Sequence, residues 1–76
     1  MELLKEYTFE RYGNECLIKD YIYLIRLDYD VYLVTRTTAI TGSWTGNPIT
    51  TYCDHFRDLA DALVAWEEFV RNLKEL

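Results

Sequence analysis

The chain is poor in the residues that most often build active sites and interrupt secondary structure. Among 76 residues it has one histidine (His55), one serine (Ser43), one proline (Pro48) and three glycines. A lone histidine cannot supply His-x-x-x-His metal spacing, and no Cys-x-x-Cys pair stands in for it. Two cysteines are too few for a disulfide-dense secreted scaffold. Positive charge is short as well: Lys and Arg number 8 against 13 Asp and Glu, a net charge of −5. That argues against gripping nucleic acid by its phosphates, which needs a clustered positive field. No apolar run exceeds the five residues of Tyr21 to Ile25, against roughly 18 for a membrane-spanning helix. The opening Met-Glu-Leu-Leu-Lys-Glu lacks the basic region and apolar stretch of a secretory signal. The expectation is a cytoplasmic protein with reduced thiols, complete from Met1, with neither linker nor repeat.

What is present is aromatic and apolar. Half of the chain is hydrophobic and 16% is aromatic, with seven Tyr, three Phe and two Trp. A chain this short forms one domain, 1–76, and buries only about 60–65% of its unfolded surface. About half of the aromatics fit inside; the others lie on the surface, where they are candidate contacts.

Periodicity orders the chain. Leu3 to Tyr12 alternates as a strand, with Tyr7 and Phe9 on one face and Glu6, Thr8 and Glu10 on the other. Gly13-Asn14 predicts a two-residue hairpin turn that sets Tyr12 against Glu15 and Phe9 against Ile18. Cys16 to Leu27 is rich in β-branched and aromatic residues, as a central strand should be. One of its faces carries Cys16, Ile18, Ile22 and Leu24; the other carries Leu17, Tyr21, Tyr23, Ile25 and Leu27, unusually apolar for a wet side. Asp28-Tyr29-Asp30 reads as a turn, Val31 to Thr38 as a third strand, Thr41 to Pro48 as a loop and Ile49 to Cys53 as a short fourth strand. From Asp58 onward the period becomes helical. Leu59, Ala62, Leu63, Trp66, Phe69, Val70 and Leu73 share one arc, with Asp58 (or Asp54) as cap and Val64 alone on the wet side.

The predicted fold is therefore α+β: a four-stranded antiparallel meander packed on one face by a C-terminal amphipathic helix, in the order β-β-β-β-α. Trp66, Phe69 and Leu63 are expected to meet Phe9, Ile18 and Leu24. The loop before Ile49 is long enough to let the fourth strand reach either edge.

Catalytic chemistry finds little support. Cys53 and His55 point the same way on a strand, as a thiolate–imidazole pair or as half of a zinc site completed by Cys16 and Asp54. The plainer reading is a small apolar thiol and a surface imidazole, with no metal and no cofactor. A Cys16–Cys53 disulfide requires adjacent strands, and reduced thiols fit the compartment better. Gly42 to Gly46 lacks the Lys of a phosphate loop and the central Ser of a nucleophile elbow. Trp44 at its tip either anchors a partner or folds back on the sheet. The acids near the helix start serve as caps, and a chain of this size has little room for a catalytic cleft. An enzyme is not expected.

Tyr12, Leu17, Tyr21 and Tyr23 share a face that could stack bases, but Lys19 is its only cation, so a protein partner fits better than nucleic acid. The partner-binding candidates are Tyr21, Tyr23 and Tyr29, with Asp28 and Asp30 as charge partners and Trp44 as anchor. No membrane contact is expected. The alternative is a self-assembling accessory protein, a homodimer through the free sheet face. In its general plan, a short meander with an acidic turn (Asp28-Tyr29-Asp30) and one acidic amphipathic helix (Asp58 to Leu76), the chain resembles the small anti-defence proteins of phages and mobile elements, including anti-CRISPR proteins. That resemblance implies a non-catalytic inhibitor occupying a surface its target needs for nucleic acid or for a partner subunit. The moderate charge favours local blocking over mimicry of a DNA duplex.

Overall fold

Alternating side chains along four segments, then a 3.6-residue period, produce a sheet backed by one helix. The computed structural model describes residues 1–13, 15–42 and 49–75. Strands β1 (Glu2–Gly13), β2 (Cys16–Asp28), β3 (Val31–Gly42) and β4 (Ile49–Phe56) precede helix α1 (Leu59–Lys74). The strands lie in the order β1-β2-β3-β4 and every neighbouring pair is antiparallel. The fourth strand thus stays next to the third. The architecture is the α+β meander with a C-terminal helix on one face.

The helix covers the face formed by Tyr7, Ile22, Leu24, Val34 and Phe56. Two clusters make the core: Ile22, Val70 and Leu73, flanked by Tyr7, Trp66 and Phe69, and Leu24, Val34 and Ala62, flanked by Tyr32, Phe56, Leu63 and Trp66. The Trp66 indole Nε1 also donates to the Ile22 carbonyl, 3.2 Å away, which satisfies its polar edge on the sheet. Asp58 caps the helix: its carboxylate accepts from the Ala60 N–H at 2.9 Å. Val64 lies on the wet side, 55% exposed.

Four expectations need correction. The first turn does not use Gly13: Gly13 pairs with Cys16 and Phe9 with Asp20, and Glu15 takes the positive φ of 58°. Asn14 lies outside the described residues. The register moves by two residues, so every side chain keeps its face. Second, Phe9 and Ile18 belong to neither of the core clusters that the described helix joins. A 16-residue helix is ~24 Å long and a 13-residue strand ~43 Å, so α1 spans little more than half of β2 and packs around Ile22 and Leu24. Third, β3 continues to Gly42, because Ala39, Ile40 and Thr41 keep pairing with β2. Fourth, β4 continues to Phe56, whose ring closes the core beside Tyr32. Single-residue bulges at Leu4, Leu27 and Thr51 interrupt the ladders.

Candidate functional site

The sheet's second face is set by the same alternation that builds the core. Reading across the strands, Glu6–Tyr23–Thr35–Cys53 form one row, Leu3–Ile25–Leu33–His55 the next and Thr8–Tyr21–Thr37–Thr50 another. Among the described residues no element packs on this face. The Tyr21 and Tyr23 rings lie nearly parallel, 8° apart in plane, with centroids at 6.1 Å. Both are half-buried, as are Ile25 and Leu33, because neighbouring side chains shield one another. Burial pushes the Tyr23 hydroxyl above its ordinary pKa, and the Glu6 carboxylate and the Tyr21 hydroxyl add to the rise. The Tyr23 ring therefore stays neutral at physiological pH. Met1, Leu3, Glu6, Tyr23 and Ile25 line a shallow depression of about 440 Å³ at one end of the face. Lys19 pairs with Glu10 at 3.4 Å, so charge on the face is sparse.

The acidic turn forms a separate group. Asp28 Oδ1 accepts from the Tyr29 N–H at 2.7 Å, and Arg26 Nη2 donates to the Tyr29 carbonyl at 3.3 Å. Asp30 pairs with Arg57 at 3.4 Å, both groups being well exposed. Asp28 thus stabilises its own turn, while Asp30 holds a solvent-screened partner it can exchange at little cost. Tyr29 is 84% exposed. Tyr23 and Asp28 are five positions apart, ~16 Å along an extended strand, so the tyrosine pair and the turn are two patches rather than one. Trp44 lies outside the described residues.

Cys53 and His55 are both exposed on the open face. Cys16 is on the helix-side face, and its β3 partner, Gly42, is seven residues from the Thr35 that pairs with Cys53, ~23 Å along the strand. β3 also lies between them, so neither a disulfide nor a shared zinc ion joins these groups, and both cysteines are free thiols. Among the described residues no three His, Cys, Asp or Glu side chains come together as metal ligands, and no helix is long and apolar enough to cross a membrane.

No protein-family model, curated protein or solved structure matches the chain.

Sequence reasoning missed a buried polar cluster. Asp20 is fully buried on β2, between Ile18 and Ile22 on the helix-side face. Its Oδ1 accepts from Thr38 Oγ1 at 2.6 Å and from Arg36 Nε at 3.1 Å, and its Oδ2 lies 3.5 Å from Arg11 Nη2. Burial pushes the Asp20 pKa up, but the hydrogen bonds from Thr38 and Arg36 and the charges of Arg36 and Arg11 outweigh it, and the carboxyl titrates below its ordinary value. The signal was in the alternation: an aspartate on the face shared by Ile18, Ile22 and Leu24, with Arg36 at the matching parity on β3.

Proposed function

We propose that the protein is a small, acidic, non-catalytic protein-binding module that docks its open sheet face on a partner. The observation that carries this reading is the stacked Tyr21–Tyr23 pair on a face that no described element covers. Rigid, amphipathic tyrosines are favoured anchors at protein interfaces because they bury much area at low entropic cost. A face about 40 Å by 15–20 Å offers roughly 700 Å², close to the ~800 Å² each partner contributes to a standard interface. With a net charge of −5, long-range steering favours a basic partner surface. On the resemblance to anti-defence proteins, the partner is a host defence or nucleic-acid-handling complex in the cytoplasm, and binding blocks a basic or subunit-contacting surface. Tyr29 extends the contact at the end of the β2–β3 hairpin.

The test is site-directed photo-crosslinking in the host, with the crosslinker placed in turn at Tyr21, Tyr29 and Val64. Adducts to one basic protein from Tyr21, and none from Val64 on the far side of the helix, are expected. Adducts from Val64 alone would reject the face. A second reading, a homodimer through the same face, is favoured by the half-buried apolar strip of Leu17, Tyr21, Tyr23, Ile25 and Leu33. Light scattering at micromolar concentration separates the two: a tight dimer lost in Tyr21→Ala/Tyr23→Ala supports self-assembly.

A further inference from the structure

Among the described residues the Arg11–Asp20–Arg36 cluster is one negative charge short. Two guanidiniums share a single carboxylate, whereas the Lys19–Glu10 and Arg57–Asp30 pairs are one-to-one. Arg36 commits its Nε to Asp20, which holds the guanidinium plane while its side chain remains 24% exposed. It also lines an open groove of about 240 Å³ with Phe69, Asn72 and Leu73. Among the described residues nothing else lining this groove is charged, and two of its walls are apolar. A guanidinium fixed from behind by a buried carboxylate is pre-organised, so an incoming anion need not order it.

We infer that the Arg36 groove binds a free carboxylate attached to an apolar group, and that its occupant is the C-terminal end of a peptide. The planar guanidinium fork matches a carboxylate better than it matches a single point of charge. Phe69 and Leu73 provide an apolar wall for the last side chain, and the Asn72 amide can both donate to and accept from peptide main chain. A phosphate dianion would find only one surplus positive charge and would gain nothing from the apolar walls. The groove is open, so the rest of a peptide can leave it without clash. This site lies on the helix side of the sheet, opposite Tyr21 and Tyr23, and stands or falls independently of the proposed partner face.

The experiment is an NMR titration of the full chain with a short peptide ending in a free Leu carboxylate, with the same peptide amidated at its C-terminus, and with acetate. The acid peptide should move the Arg36 Nε–H, the Asn72 side-chain amide and the main-chain signals of Phe69 and Leu73. The amidated peptide should bind about tenfold more weakly, the loss of one charge-assisted pair. Asn72→Ala, at an exposed position, should weaken the acid peptide a few-fold without changing the fold. Arg36→Lys keeps a cation beside Asp20 but loses the fork, and should weaken it more. Equal binding of acid and amide, no binding at millimolar concentration, or shifts confined to other residues would overturn the inference. Acetate moving the same signals as strongly as the peptide would also overturn it, by assigning the groove to any small anion.

Discussion

Asp20 carries a large single-residue stake in the fold. A fully buried carboxylate is stable only while Thr38, Arg36 and Arg11 compensate its lost solvation. Replacing Arg36 with Leu leaves that charge with only the Thr38 hydroxyl and the longer Arg11 contact and should cost up to about 3–5 kcal/mol, a large part of the ~5–15 kcal/mol that holds a small domain together. Adding Asp20→Leu and Arg11→Leu should restore much of that loss, because a well-packed apolar set often equals a buried ion pair. Urea midpoints of the single and triple variants check this. The pH dependence has a definite sign. Because the folded pKa of Asp20 lies below its unfolded value of about 3.9, its stabilisation is complete above about pH 4 and is lost as pH falls through the folded value. The urea midpoint should fall between pH 5 and pH 2, and less steeply in the triple variant.

At the scale of elements, the helix and its cap were the most legible part of the chain. Seven apolar positions recur on one arc, and Asp58 stands where a side-chain acceptor meets the first free N–H groups. Asp58→Ala should cost about 1 kcal/mol, and Leu73→Ala, in the core beside Ile22, about 2–5 kcal/mol. Val64→Asp, on the wet side, should stay within about 0.5 kcal/mol. Thermal melts of the three variants would test that order. The strand ends were less legible. Thr41 and Gly42 have the composition of a loop, yet they pair with Leu17 and Cys16 because β2 offers them partners. Ladder hydrogen bonds are made between strands, so a strand's end depends on its neighbour and not on its own propensity.

The molecule measures 42 × 26 × 15 Å, with the helix on one side of the sheet and no described element on the other. The interface proposed for the side that no described element covers has a measurable signature. Tyr21→Ala/Tyr23→Ala should weaken partner binding about 100-fold or more, because central tyrosines commonly cost 2 kcal/mol or more each. Circular dichroism should stay unchanged, since neither ring enters the core clusters. Association should slow as salt rises if the partner surface is basic. Surface plasmon resonance at several ionic strengths reads both effects.

The parity of Tyr21 and Tyr23 on β2, and hence their shared exposure on the face away from the helix, followed from the order of residues alone. A period of two leaves no other arrangement once Ile22 and Leu24 turn inward. The order of residues also set the helix arc and its cap. It left open which edge the fourth strand took, how far along the sheet the helix reached, and where Asp20 found its two arginines. Those outcomes join residues 9 to 18 positions apart, in the case of Arg11–Asp20 and Thr38–Asp20. They are selected by pairing and packing energies that arise only when the strands come together, and no local pattern encodes them.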